Sequence, residues 1–290
     1  MISKISRRSF IQQSAIAALG SGLFTSASSA ASNVSQMRFG LVTYLWGQDM
    51  DLSTLLTTCE KAGIDGVELR TQHKHAVEPE LSSHERSEVK KRFADSPVTL
   101  VGYGSNAQFH ESDPAKVKAN IELTKKYIHL MHDCGGSGVK VKPNGFSPDV
   151  SREKTIEQIG RSLNLVAQYA ADYGQQIRVE AHGRGTQELD VMKAIFEVAD
   201  HNNATLCWNC NSVDTNGQGL EHNFNLVKNR LGATVHVHEL GTGSYPYQEF
   251  INLLKGIDYQ GWILLEAGGN PDDKVAALFE QYTLFKKLLR

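Results

Sequence analysis

The chain has 290 residues, with 30 Lys and Arg against 32 Asp and Glu, for a formal net charge of −2. That balance leaves no broad electrostatic footprint for DNA, RNA or an anionic membrane, and points to a small-molecule partner. Hydrophobic residues make up 40% and charged residues 21%, enough for one large globular core. The length fits two domains of ~150 residues or one α/β barrel.

Residues 1–33 read MISKISRRSFIQQSAIAALGSGLFTSASSAASN. A basic start, a short apolar run from Ala15 to Phe24 and a tail of small residues have the layout of a secretory signal, with cleavage expected after Ala30 or Ala31. The run is too short and interrupted to anchor a bilayer. Ser6-Arg7-Arg8-Ser9-Phe10-Ile11 resembles the twin-arginine export motif. That resemblance implies a periplasmic or otherwise exported protein, folded and carrying its cofactor before transport. Residues 34–290 are expected to form the mature domain.

From there short β-rich runs alternate with amphipathic helical runs. Strands are expected at 37–43, 64–69, 98–102, 138–142, 177–181, 204–208, 235–239 and 262–266. Helices are expected at 52–62, 83–95, 115–134, 152–173, 189–200, 220–231, 247–255 and 272–289, with Ser151 as an N-cap. Such alternation implies parallel strands joined by right-handed crossovers. Repeated eight times without a composition shift, it predicts a single-domain (β/α)8 TIM barrel. An open doubly wound sheet is the alternative. Its dinucleotide-binding version lacks support, because no Gly-x-Gly-x-x-Gly follows the first strand.

Strand side chains alternate between faces, so parity separates helix-facing from lumen-facing residues. Val67 and Leu69 oppose Gly66, Glu68 and Arg70. Val139 and Val141 oppose Lys140 and Lys142. Ile177, Val179 and Ala181 oppose Arg178, Glu180 and His182. Val235 and Val237 oppose His236 and His238. Ile263 and Leu265 oppose Leu264 and Glu266. Five strands thus end in ionisable groups on the lumen face, which such a lumen admits only with partners or a metal. A solvated strand edge is the competing reading.

"CWNCN" at 207–211 suggests a redox or zinc motif, but Cys207 and Cys210 have opposite parity on a regular strand, and no second C-x-x-C exists. The lumen-facing Asn209 and Asn211 are the residues of interest there. If Glu180, Asn209, His236 and Glu266 meet at the barrel mouth, three oxygens and one nitrogen suit a divalent cation, with manganese ahead of magnesium, cobalt or zinc. A Lewis acid there would acidify a C–H beside a carbonyl, allowing a 1,2-hydrogen shift or an epimerisation.

"GIDGVELR", "RVEAHG", "LCWNCNSVD", "VHVHEL" and "GWILLEAGG", in this order, resemble the xylose isomerase-like barrel superfamily in its sugar phosphate isomerase/epimerase branch. The resemblance covers nearly all of the mature chain. It implies that Glu180 and Glu266 bind the metal and form the acid–base pair. It also implies a histidine ligand on the seventh strand, His236 or His238. The family's usual sixth-strand Asp is Asn209 here and the usual nearby His is absent. A neutral amide ligand lowers the expected metal affinity. Asn211, of the same parity, could assist.

Lys142 is expected to hold a developing oxyanion or extend to the barrel rim. His182 is expected to bind a sugar hydroxyl, shuttle a proton or serve the structure alone. Glu68 is expected to bind substrate or to pair with Arg70 or Arg178. His238 is a further candidate substrate contact, as is His73 in the loop after the second strand. His129 and His132 are expected on a solvated helix face. The leading expectation is a metal-dependent isomerase or epimerase of a small carbohydrate. A lyase acting on 3-keto-glycosides through the same site and a non-catalytic carbohydrate-binding barrel are the alternatives. The apurinic endonuclease branch ranks last, since it needs a basic DNA surface. The resemblance also implies self-association into homo-oligomers.

Overall fold

The computed structural model describes residues 37–290; the expected signal segment and its cleavage site lie outside the described residues. Eight strands, β1 (Arg38–Val42), β2 (Gly66–Arg70), β3 (Thr99–Gln108), β4 (Gly138–Lys142), β5 (Gln176–Glu180), β6 (Ala204–Trp208), β7 (Leu231–Val237) and β8 (Trp262–Leu265), pair in parallel and close into a barrel, β8 joining β1. Eight helices cover it: α1 (Leu52–Ala62), α2 (Ser83–Ala94), α3 (Pro114–Cys134), α4 (Arg152–Ala171), α5 (Leu189–Val198), α6 (Leu220–Val227), α7 (Tyr247–Gly256) and α8 (Lys274–Leu288). Every strand is bonded on both sides, so the solvated strand edge does not arise. Among the described residues no helix is long and apolar enough to cross a membrane.

Local chemistry sets the helix starts. The side chains of Asp51, Ser82, Asp113, Ser151 and Asp273 accept the first free N–H groups of α1, α2, α3, α4 and α8. Ser82 and Glu85 complete a reciprocal capping box. Two strands differ from the sequence expectation by more than two residues. β3 runs on to Gln108 through a register shift, and β7 begins four residues early, at Leu231. The early start is tertiary in origin: Tyr259 donates to the Gly232 carbonyl and the Ala233 N–H donates to Gln176 Oε1.

The main apolar core lies between strands and helices, and a second cluster of Val42, Val101, Trp262 and Leu264 fills the barrel interior. Glycines make room for the large groups inside. A Cβ on Gly66 would come within 2.6 Å of the Trp262 ring, and one on Gly138 within 2.7 Å of the Arg178 guanidinium. Arg178 is buried and donates to Gln176 Oε1, the Val101 carbonyl and Ser137 Oγ. It forms part of the barrel interior's support, and its closest hydrogen-bond partners do not include Glu68.

Candidate active site

Above that interior the lumen-facing residues of β2, β4, β5, β7 and β8 converge. Glu68, Lys140, Glu180, His236 and Glu266 are all buried. One atom each from Glu180, His236 and Glu266 lies within 4.8 Å of the others, a triad able to hold a metal ion. His236 Nδ1 is 3.4 Å from Glu266 Oε2 and 3.8 Å from Glu180 Oε1. Its other nitrogen, Nε2, is 3.2 Å from Glu68 Oε1. Each glutamate spends its second oxygen on a base: Glu180 Oε2 is 2.6 Å from Lys140 Nζ and Glu266 Oε1 is 2.9 Å from Arg70 Nη1. One oxygen of each carboxylate therefore remains directed at His236 Nδ1.

These donors fit a divalent cation. Two carboxylate oxygens and an imidazole nitrogen converge, and Asn209 Oδ1, from the same cavity wall, is buried without a hydrogen-bond partner among the described residues. A buried amide oxygen left unpaired is costly unless something fills its place. Glu68 beside Nε2 matches the carboxylate–histidine arrangement that orients a metal-binding imidazole. The substrate contact expected of Glu68 does not arise: it has no exposed surface and is absent from the cavity wall. Its pairing with Arg70 does not arise either, because Arg70 reaches Glu266.

The cavity above the triad has a volume of about 440 Å³. Lys142, Glu180, His182, Asn209, Asn211, His238 and Glu266 all line it, so most of the residues expected at the site share one space. Tyr44, Arg70, Gln187 and Gly268 complete the wall. Asn211 Nδ2 donates to the Ala181 carbonyl, which ties the turn after β6 to the end of β5. His238 follows β7 at the rim, with Nδ1 3.2 Å from the Glu266 carbonyl; His236, deeper, joins the triad. His73 lies outside the wall, beside Thr43 Oγ1. His129 and His132 are not merely solvated: His129 Nε2 is 2.7 Å from Tyr169 Oη and His132 Nδ1 is 3.0 Å from the Tyr173 carbonyl.

Charge pairing shapes the titration of the site. Burial acts against ionisation of Glu180, yet the Lys140 ammonium and His236 hold it well below the usual carboxylate range. Burial likewise opposes ionisation of Glu266, but Lys140 above all draws it down to about 2. Burial lowers His182, and burial with the neighbouring Lys140 lowers Lys142. The Lys142 ammonium has no hydrogen-bond or ion-pair partner among the described residues.

Cys207 and Cys210 are buried and form no disulfide, Cys207 facing the lumen beside His236 and Cys210 packing into the outer core. Cys210 takes a left-handed backbone, φ 45°, and turns the chain between the two asparagines. Trp208 Nε1 donates to Tyr245 Oη, which donates to the buried Asp214 Oδ2. Burial pushes the Asp214 carboxyl up to about 7. A folded-state pKa raised above the ordinary ~3.9 costs stability as pH climbs from about 4 to about 7. Asp214→Asn is thus expected to leave stability near pH 4 almost unchanged and to raise it by up to roughly 4 kcal/mol at pH 8. Urea unfolding at the two pH values checks this, and equal effects at both would refute it.

A model of the xylose isomerase-like TIM barrel family matches residues 56–282. L-ribulose 3-epimerase of Methylomonas sp. (strain DH-1) is 26% identical over 250 residues, spanning 80% of this chain and 85% of that protein. The D-psicose 3-epimerase of Clostridium cellulolyticum H10, solved with D-tagatose, superposes with a TM-score of 0.74 at 15% identity, over 88% of this chain and 100% of its own. The 3-keto-D-glucoside 4-epimerase of E. coli, solved in its apo form, superposes with a TM-score of 0.73 at 15% identity, over 87% and 99%. With its closed ring of βα units and a family match across most of that ring, the chain belongs to the xylose isomerase-like TIM barrel family.

Proposed function

We propose that the protein is a divalent-metal-dependent epimerase or isomerase of a keto sugar, with Glu180 and Glu266 as its acid–base pair. The observation that carries this reading is the convergence of one free oxygen from each glutamate on His236 Nδ1, at the floor of a cavity both glutamates line. A dication held by Glu180, Asn209, His236 and Glu266, manganese first among the candidates, supplies the Lewis acidity that weakens a C–H bond beside a bound carbonyl. One glutamate, ionised, takes that proton, and the other, entering the step in its protonated form, gives one to the carbon, so that the two exchange protonation states. Lys142, unpaired at the rim, steadies the oxygen that gains charge. The two basic partners, Lys140 and Arg70, fix the two carboxylates in place. The epimerase activities named for the relatives support the same class.

Incubation with keto sugars in D₂O tests the reading. Metal-dependent deuterium uptake beside the carbonyl is expected, and no uptake with any keto sugar tried sinks it. Product analysis on 3-keto-glycosides separates epimerisation from β-elimination. Added Mn²⁺ is expected to raise the melting temperature and a chelator to reverse the rise. Asn209→Asp, adding one anionic ligand, is expected to tighten metal binding on the order of ten-fold, read by calorimetric titration. Export rests on the signal layout of residues 1–33 and on Ser6-Arg7-Arg8-Ser9-Phe10-Ile11 within it, and N-terminal sequencing of the protein from cell fractions tests it.

A further inference from the structure

His182 lines the cavity two residues beyond Glu180, and only its Nδ1 has a protein partner among the described residues, Asn144 Oδ1 at 2.9 Å. Whether Nδ1 donates or accepts depends on which way the Asn144 amide is turned, and amide orientation must be derived from the surrounding network. The network here ends on a carboxylate. Gln108 Nε2 lies 2.9 Å from Glu111 Oε1. A carboxylate only accepts, so Gln108 presents its NH₂ to Glu111 and its oxygen to Asn144. Asn144 Nδ2 donates to that oxygen, which leaves Asn144 Oδ1 facing His182. An amide oxygen also only accepts. The proton therefore sits on His182 Nδ1, and Nε2 carries the lone pair.

The backbone holds this relay rigidly. Asn144 has φ 64°, a left-handed conformation that Asn tolerates. A Cβ on Gly183, itself at φ 91°, would come within 2.4 Å of the Asn144 carbonyl carbon, so the turn after β4 and the loop after β5 touch main chain to main chain. Thr186 Oγ1 donates to the His182 carbonyl at 2.7 Å. At the far end, Lys116 Nζ lies 3.6 Å from Glu111 Oε2.

We infer that Glu111, Gln108 and Asn144 are positioning residues that fix His182 as a hydrogen-bond acceptor through Nε2, and that the substrate brings a free hydroxyl to this nitrogen. The clause about the hydroxyl rests on the keto-sugar reading above; the relay does not. A carboxylate or phosphoryl oxygen at the same point meets a lone pair and is disfavoured. The substrate class is thus a keto sugar whose hydroxyl at this subsite is neither phosphorylated nor oxidised.

Long-range ¹H–¹⁵N spectra of the zinc-loaded full chain test the relay, with the His182 signals assigned by their loss in His182→Gln. A pyrrole-type Nδ1 and a pyridine-type Nε2 are expected. Asn144→Gly keeps the backbone conformation and removes the acceptor, and is expected to move the proton toward Nε2. Asn144→Asp keeps an acceptor and is expected to retain the Nδ1–H form. Wild-type protein with the proton on Nε2 overturns the relay. For a keto sugar that shows proton exchange, Asn144→Gly is expected to raise KM about ten-fold with little change in kcat; an unchanged KM overturns the hydroxyl clause. If no keto sugar exchanges, that clause falls with the proposed function, and the nitrogen shifts still decide the relay.

Discussion

Glu180→Gln and Glu266→Gln are each expected to lower turnover by about 10³-fold, because an amide can neither take nor return the proton that either carboxylate would handle. The two variants differ in what they leave behind. Glu180→Gln strips the ion pair from Lys140, which has no exposed surface, so this variant also loses stability. Glu266→Gln leaves Arg70, 13% exposed in its side chain, with water within reach and with Tyr44 still beneath its guanidinium. Its melting temperature is expected to move far less. Turnover, metal content and thermal unfolding measured on the same samples check the pair. Residual activity above about one-tenth in either variant removes that glutamate from the acid–base role.

Lys140→Met carries the largest expected effect on stability. It keeps most of the side-chain volume and removes the only charge within hydrogen-bond distance of Glu180 Oε2 among the described residues. Breaking a buried ion pair from one side costs about 3–5 kcal/mol, since the other charge stays buried and uncompensated. For a chain of this size that is a fall in melting temperature on the order of 10 °C. The double variant Lys140→Met with Glu180→Gln removes both charges and is expected to recover much of the loss. A bound dication is expected to rescue the single variant by the same logic, because it offsets the stranded carboxylate. Scanning calorimetry with and without Mn²⁺ checks both; a single variant as stable as the double one shows that the pair contributes nothing.

The barrel was legible in the sequence because its signal is local and repeated. Each β-rich run is short, each helical run is amphipathic, and the order never breaks. Parity was legible too: Lys140 and Lys142 share a face by alternation alone. What alternation cannot give is depth. Lys140 lies two residues lower than Lys142, and that step separates a buried ion pair from an unpaired rim ammonium. The same step separates His236, in the triad, from His238 at the rim. Partner choice across the lumen is less legible still. Arg70 and Glu266 are 196 residues apart, one ending β2 and the other just beyond β8, with β1 between those strands, so nothing near either one announces the contact. Glu68 read as a substrate ligand because its face was known and its height was not. The relay behind His182 left only a faint trace, "KPNG", a turn signal at 142–145 whose Asn does more than turn the chain.

The order of these residues along the chain divides the site in two. Glu68, Arg70, Lys140 and Lys142 come from β2 and β4, in the first half of the barrel. Glu180, Asn209, His236 and Glu266 come from β5 onward. The first half therefore holds the two bases that pair with the glutamates and the carboxylate that steadies the imidazole; the second holds every donor atom of the triad. Separated, one half would bury Lys140 without Glu180 and the other would bury Glu180 without Lys140. Opposite charges aimed across a common lumen make each half the other's selective complement. Two fragments cut in the turn after β4 should then find each other, and should regain the metal site only as a pair.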